Sequence, residues 1–318
     1  MRRRATAAVV AFLGVPVVLA SAGTALLNAQ AARLRREFDA ARGPEGVAQV
    51  HRSVVRSDAA RGVHDAHGGP ASHRSAPPDP HGTASPEAAL AVIGDSWVAG
   101  TGPADPPALM ARGLAALTGA DVRLSACARP SARADEVADQ VDRVLADPHQ
   151  ARAGELRIAV VSMGTGDVLH PVTGSISLGV LTSALTRLQR EGYAVIVLCC
   201  PNLSSLPGMR NPLRTVVRRY SRVLAGSQWL AAVAAGALPL STTRILSGTT
   251  RVGLLAPSGH HPSRLGSAQL AAAVLTALAD RMDSPRASVP VPEAELEDSG
   301  SAAPPAPPPA PHSEDDDL

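Results

Sequence analysis

The sequence predicts an α/β protein, a three-layer α/β/α sandwich around a mainly parallel sheet, and three observations carry that expectation. Between Pro86 and Met282, apolar Val/Leu/Ala-rich runs alternate with segments of helical spacing. The strongest runs are apolar throughout, as in strands covered on both faces. The stretch, about 195 residues, is also long enough to bury a sizeable core without cofactors or disulfides.

Each element has its own signal. Ala88–Ile93 is an apolar run ending at Gly94. Pro107–Leu117 sets Leu109, Met110, Leu114 and Leu117 along one side of a helix. Val122–Leu124 is a short strand, and Ala134–Leu145 is amphipathic through Val137, Val141, Val144 and Leu145. Leu156–Met163 is a buried strand, Ile176–Arg190 a helix, and Ala194–Cys200 a second buried strand. A long helix spans Leu213–Ala235, an irregular stretch with one strand follows, and Ser263–Arg281 is the last helix.

The remaining segments are different in kind. Arg2, Arg3 and Arg4 precede an uncharged apolar run from Ala5 to Leu27, about 34 Å long as a helix and enough to cross a hydrocarbon core. It reads as a signal anchor or signal peptide over residues 1–36. The small residues Ala20, Ser21 and Ala22 suit cleavage, and the continuation to Leu27 suits retention. The expected location is the cell membrane, single-pass with an extracytoplasmic domain, or the exterior if the segment is cleaved. Residues 37–85 are rich in Gly, Pro, Ser, Arg and His without apolar periodicity and read as a flexible linker. The histidines there (His51, His64, His67, His73, His81) are too irregularly spaced for a metal site. Residues 284–318 form a Pro-rich tail ending in acidic residues.

Composition narrows the function classes. The formal charge is +2, with 30 basic residues scattered among 28 acids. The basic residues are all Arg, and no basic footprint for nucleic acid emerges. Three cysteines, Cys127, Cys199 and Cys200, supply neither a zinc ribbon nor a disulfide framework; a bond from Cys127 to Cys199 or Cys200 stays open. No metal or other cofactor is expected. Arg210, Arg214, Arg218, Arg219 and Arg222 share a helix, which fits a solvated face or contact with anionic lipid heads or substrate.

In open parallel sheets, ligands bind outside the carboxyl ends of the strands. Those ends carry Gly94-Asp95-Ser96, Gly164-Thr165-Gly166-Asp167 and Cys200-Pro201-Asn202, with Ser258-Gly259-His260-His261-Pro262-Ser263 before the last helix. A Ser after the first strand and a His before the last helix, on one sheet edge, have the topology of a nucleophile and its general base. Asp95 reads as a structural partner of the turn.

These blocks resemble the SGNH/GDSL hydrolase superfamily, in particular exported bacterial members with one N-terminal span. The resemblance covers about Ala88 to Arg281. It rests on Ala91-Val92-Ile93-Gly94-Asp95-Ser96 with Gly100 and Gly102, on Val160 to Val168, and on Leu255 to Gly266. It implies Ser96 as nucleophile, His261 as base, and the Ser96 N–H as an oxyanion donor. The second backbone donor falls at or near Ser131. Three departures stand out: Ser131 stands at or near the place of the family's block II Gly, Gly166 occupies the place of the family's Asn, and Ser258 that of the Asp orienting the imidazole. Gly164, Asp167 and Ser258 are counted with Gly166 as site-lining residues. The implied function is hydrolysis of an O-acyl ester on an envelope glycan, lipid or small molecule. The alternative is a catalytically impaired relative that binds glycan or acyl ligands or an envelope partner. If the departures only weaken the chemistry, Gly166→Asn with Ser258→Asp is expected to raise activity.

Overall fold

In the computed structural model the described residues are 24–37, 50–57, 87–151, 156–169, 174–246, 253–257, 259 and 261–283. Chain packing divides the molecule into Met1–Pro285 and Arg286–Leu318; all the described residues belong to the first. The predicted acidic tail lies outside them.

Helix α1 spans 24–37. It is followed by β1 (His51–Val55), β2 (Glu87–Gly94), α2 (Pro106–Thr118), β3 (Asp121–Ala126), α3 (Ala134–Leu145), α4 (Pro148–Ala151), β4 (Leu156–Ser162) and α5 (Thr165–Leu169). Then come α6 (Gly174–Arg190), β5 (Ala194–Cys199), α7 (Leu213–Ala234), β6 (Leu238–Ser241), α8 (Thr242–Ile245) and α9 (Arg264–Asp283). The sheet order is β1-β3-β2-β4-β5-β6. All neighbours are parallel except β1, which runs antiparallel to β3.

The layers follow from period-two alternation in fully buried strands. Leu90, Val92, Ile158, Val160, Ile196 and Leu198 face α2 and α9, where they meet Met110, Leu114, Leu270 and Val274. Ala91, Ile93, Ala159, Val161, Val195 and Val197 face the other way, onto Val137, Val141 and Val144 of α3 and Leu181, Leu185 and Leu188 of α6. The chain winds from β2 to β3 on one side and to β4, β5 and β6 on the other. That reversal opens a crevice at the carboxyl end of β2.

Within the expected linker over 37–85, residues 51–55 form strand β1. It pairs with β3 from His51↔Ala126 to Val55↔Val122. Its exposed positions, Arg52 and Val54, alternate with half-buried His51, Ser53 and Val55, so no apolar run announces it. Side-chain anchors hold it. Arg52 Nε donates to both Asp147 carboxylate oxygens at 3.0 Å, and the Ser57 N–H donates to Asp121 Oδ1 at 2.9 Å. Asp147 is buried and also accepts from Ser125 Oγ at 2.8 Å and the His149 N–H at 3.0 Å. Burial alone pushes its carboxyl up, but the bonds from Arg52, Ser125 and His149 outweigh it and hold the group below the ordinary carboxylate value.

A folded-state value below the unfolded one adds stability above the unfolded pKa and loses it as pH falls through the folded one. Asp147→Ala is therefore expected to lower unfolding free energy by about 2 kcal/mol at neutral pH. The gap from wild type should shrink below about pH 4. Urea melts at the two pH values check both.

The cysteines are free and buried. Cys127 follows β3 and Cys199 ends β5, with β2 and β4 between them, a separation of about 14 Å at ordinary strand spacing. That is beyond the reach of a disulfide. Burial pushes the Cys127 thiol up to about 11.

Most of the predicted apolar run from Ala5 lies outside the described residues. Among the described residues no helix is long and apolar enough to cross a membrane. Leu27, Ala31 and Leu34 of α1 instead pack against a cluster containing Trp97, Leu203, Leu206, Leu213 and Val217.

Candidate active site

The crevice at the end of β2 is built on a glycine that nothing can replace. Gly94 has φ +139°, and a Cβ there would lie 1.8 Å from the Ser162 carbonyl oxygen on β4. The buried Gln140 side chain of α3 fixes it further: Oε1 accepts from the Gly94 N–H at 2.6 Å, and Nε2 donates to the Gly94 carbonyl at 3.1 Å. The chain then turns sharply, the Val98 N–H donating to the Asp95 carbonyl at 3.2 Å, which lifts Ser96 off the strand end.

Asp95 braces this turn. Its Oδ1 accepts from Ser162 Oγ at 3.0 Å and the Trp97 N–H at 3.3 Å, and its Oδ2 from the Thr165 N–H at 3.2 Å. Burial raises its pKa against those bonds. Trp97 Nε1 donates to Thr165 Oγ1 at 2.8 Å. The ends of β2 and β4 and the start of α5 are thus one unit, with Asp95 in the structural role expected of it.

His261 arrives from the opposite side. Residues around 254–256 and 261–263 form a short ladder, with the Ala256 N–H donating to the His261 carbonyl at 3.0 Å and the Ser263 N–H to the Leu254 carbonyl at 2.8 Å. Ser263 Oγ accepts from the Gly266 N–H at 3.2 Å at the start of α9. His261 is consequently on the exposed rim.

Ser96, Ala99, Gly100, Asp105, Pro106, Pro130, Ser131, His261, Pro262 and Ser267 line one cleft of about 250 Å³. Ser96 is 4% exposed. Its Oγ is buried and has no hydrogen-bond partner among the described residues, so hydroxyl and imidazole share the cleft without being bonded in this conformation. Apo sites often tighten such bonds only when substrate is present.

The wall beside Ser96 is the turn Arg129-Pro130-Ser131-Ala132, closed by the Ala132 N–H donating to the Arg129 carbonyl at 3.2 Å. Pro stands second and a residue with φ +56°, Ser131, third, the pattern of a type II turn, where Gly or Asn is usual. The turn is tied to β2 by the Arg129 N–H, which donates to the Gly94 carbonyl at 2.9 Å.

Gly164, Gly166 and Asp167 do not line the cleft; they support it. Gly164 takes φ +127° at the end of β4. Asp167 is fully buried and accepts from the Ala134 N–H at 3.0 Å, joining α5 to the start of α3. Gly166 lies under the turn: a Cβ there would meet the Ala132 oxygen at 2.4 Å and the Ser131 oxygen at 3.0 Å. The position is filled by backbone from the neighbouring loop. An asparagine therefore does not fit without moving that loop, which weighs against the expectation that Gly166→Asn with Ser258→Asp would raise activity. Ser258 lies outside the described residues.

Two positioning residues escaped the sequence reading. Besides Gln140, the buried Gln228 of α7 accepts from the Cys200 N–H at 2.7 Å and donates to the Met163 carbonyl at 2.9 Å. Their signal is a lone amide on an otherwise apolar helix stripe, as in Val137-x-x-Gln140-Val141 and Leu224-x-x-x-Gln228.

The sequence profile of the GDSL-like lipase/acylhydrolase family matches residues 92–269. A GDSL-like esterase of Mycobacterium tuberculosis is 30% identical over 300 residues, 90% of this chain and 88% of that protein. Among solved structures, a lipase/acylhydrolase from Enterococcus faecalis has 18% identity and a TM-score of 0.47, covering 61% of this chain and 96% of that one. An acetylxylan esterase from Geobacillus stearothermophilus has 18% identity and a TM-score of 0.45, covering 61% and 95%.

Proposed function

Since the chain belongs to the GDSL-like lipase/acylhydrolase family, we propose that it is a serine ester hydrolase acting outside the cytoplasm and removing a short O-acyl group from an envelope or small-molecule substrate. The observation that carries this is the common cleft of Ser96 and His261, with the Ser96 hydroxyl buried and unbonded. A buried hydroxyl without a partner costs about 1 to 3 kcal/mol. Such a cost is commonly stored where a group is kept ready for chemistry. The volume, about 250 Å³, favours a small acyl group over a long chain. The 30% identical relative is itself described as an esterase.

In this reading His261 takes the Ser96 proton as Oγ attacks the ester carbonyl, and returns it to the departing alkoxide. Water, deprotonated by His261, then releases the acid from the acyl-enzyme. The Ser96 N–H donates to the oxyanion, and Ser131 supplies its N–H and its hydroxyl from across the cleft. Export rests on the apolar run Ala5–Leu27 behind three arginines. The test is a fluorophosphonate probe followed by peptide mapping. Labelling at Ser96, abolished in His261→Ala, is expected; an unlabelled wild type ends the hydrolase reading.

The second reading, a cleft that binds acyl or glycan ligands without turnover, draws on the backbone that fills the space beside Gly166 and on Ser258, which carries no charge for the imidazole. Turnover at ordinary enzyme rates would remove it.

Ser131 supplies a sharper prediction. A left-handed conformation costs a non-glycine residue about 1 kcal/mol, so Ser131→Gly is expected to stabilise the fold by that amount. It should also slow kcat by about tenfold or more through loss of the hydroxyl. Melting and steady-state kinetics on the same variant decide: a stabler protein with unchanged kcat leaves the hydroxyl no part in the reaction.

A further inference from the structure

Helix α7 buries Leu213, Val217, Ser221, Leu224, Gln228 and Ala232 against the domain. Its solvent side is unusual in two independent ways. It carries Val216, Val223 and Leu230, exposed to 50, 62 and 65%, and the seven-residue spacing sets them in one line along the helix. The latter two are the most exposed large apolar side chains among the described residues.

The same helix holds Arg214, Arg218, Arg219 and Arg222, all exposed, and no Asp or Glu from Leu213 to Ala234. Arg210 stands just before it. None of these five arginines makes an ion pair among the described residues, although others on the surface do, such as Arg187 with Asp142. A face meant only for water would intersperse acids to form i, i+4 pairs. An apolar line with a basic flank on one side, Arg219 beside it and Arg222, Arg218 and Arg214 successively further round the helix, none ion-paired among the described residues, is instead the pattern of a helix lying in a membrane interface, its apolar residues among the acyl chains and its arginines reaching lipid phosphates.

Chain continuity points to the same occupant. Helix α1, which continues the apolar run from Ala5, docks at the start of α7: Gln30 Nε2 donates to the Asn211 carbonyl at 3.1 Å, and Gln30 Oε1 accepts from the Leu213 N–H at 3.3 Å. A span formed by that run would deliver its membrane to the basic end of α7.

We propose that the outer face of α7 is a docking surface for an anionic phospholipid leaflet, a second attachment that holds the domain flat against the membrane. The test uses the full chain reconstituted in vesicles, with Val223→Cys carrying an environment-sensitive fluorophore. The native cysteines are buried, so labelling is selective. In vesicles containing phosphatidylglycerol the emission should shift to the blue and rise several-fold, and it should not in pure phosphatidylcholine. The same label at Leu117→Cys on α2 should stay unchanged. Replacing Arg214, Arg218, Arg219 and Arg222 by Gln should abolish the response while melting temperature and cleavage of a soluble ester are kept. Leu230→Cys repeats the measurement if Val223→Cys does not fold.

An equal response in both vesicle types, a response at both label positions, or one that survives the Arg→Gln changes would overturn the proposal. A concentration-dependent response in detergent without vesicles would assign the face to a second copy of the chain, and would overturn it too. None of these results depends on whether the cleft hydrolyses esters.

Discussion

Ser96→Ala is expected to reduce ester cleavage by about 10⁴-fold or more while raising the unfolding free energy by about 1 to 2 kcal/mol. The first half follows from nucleophilic catalysis: without Oγ no acyl-enzyme forms, and only the binding and oxyanion contributions of the cleft remain. The second half follows from burial. Ser96 is 4% exposed and its Oγ has no hydrogen-bond partner among the described residues, so the folded state carries a desolvated hydroxyl that alanine removes. Such opposition between stability and activity is typical of groups kept for chemistry. A serine with a purely structural role behaves in the opposite way, losing stability on truncation and leaving turnover alone. Parallel denaturation and kinetic measurements on one variant therefore separate the two, and a variant as active as wild type excludes Ser96 as nucleophile.

Gly166→Asn is expected to lower stability by about 2 to 3 kcal/mol and to reduce activity further. The new Cβ would meet the Ala132 carbonyl oxygen at 2.4 Å and the Ser131 oxygen at 3.0 Å. These are backbone atoms, which cannot swing aside as a side-chain tip can, and overpacking of this kind costs about 1 to 3 kcal/mol. Relief requires moving the turn 129–132. That turn carries Ser131 into the cleft and leads to Ala134, whose N–H is held by Asp167. The strain should therefore reach the oxyanion side of Ser96 as lost kcat. The double change with Ser258→Asp should be no more active than Ser258→Asp alone. If Gly166→Asn instead raises turnover with an unchanged melting temperature, the turn is more yielding than its packing implies.

Physical rules that work on sequence reached some parts of this molecule and not others. The central strands were legible because burial on both faces leaves an uninterrupted apolar run, as in Leu156–Ser162, and the amphipathic α3 was legible from its valine spacing. Ser96 and His261 could be brought to one sheet edge because strand order alone decides which loops converge. Strand β1 was not legible: as an edge strand it needs only His51, Ser53 and Val55 half-buried, and its anchoring by Arg52 to Asp147 spans ninety-five positions. The packing around Gly166 was out of reach for a related reason. A missing side chain in one loop says nothing about which other loop fills its place, and here backbone of Ser131 and Ala132 does so. Gln140 and Gln228 were invisible as clamps because their partners are main-chain atoms, which no residue type encodes.

Those two amides have a consequence for how the protein fails. Each grips main chain at the tips of the central strands, Gln140 at Gly94 and Gln228 at Met163 and Cys200, from the inner side of a long helix. The turn that carries Ser96 is thus bolted to the scaffold's own ribs, with no hinge among the described residues on which to loosen separately. Warming or urea should end ester cleavage and erase the helical circular dichroism in one shared transition, with no dormant yet folded stage in between.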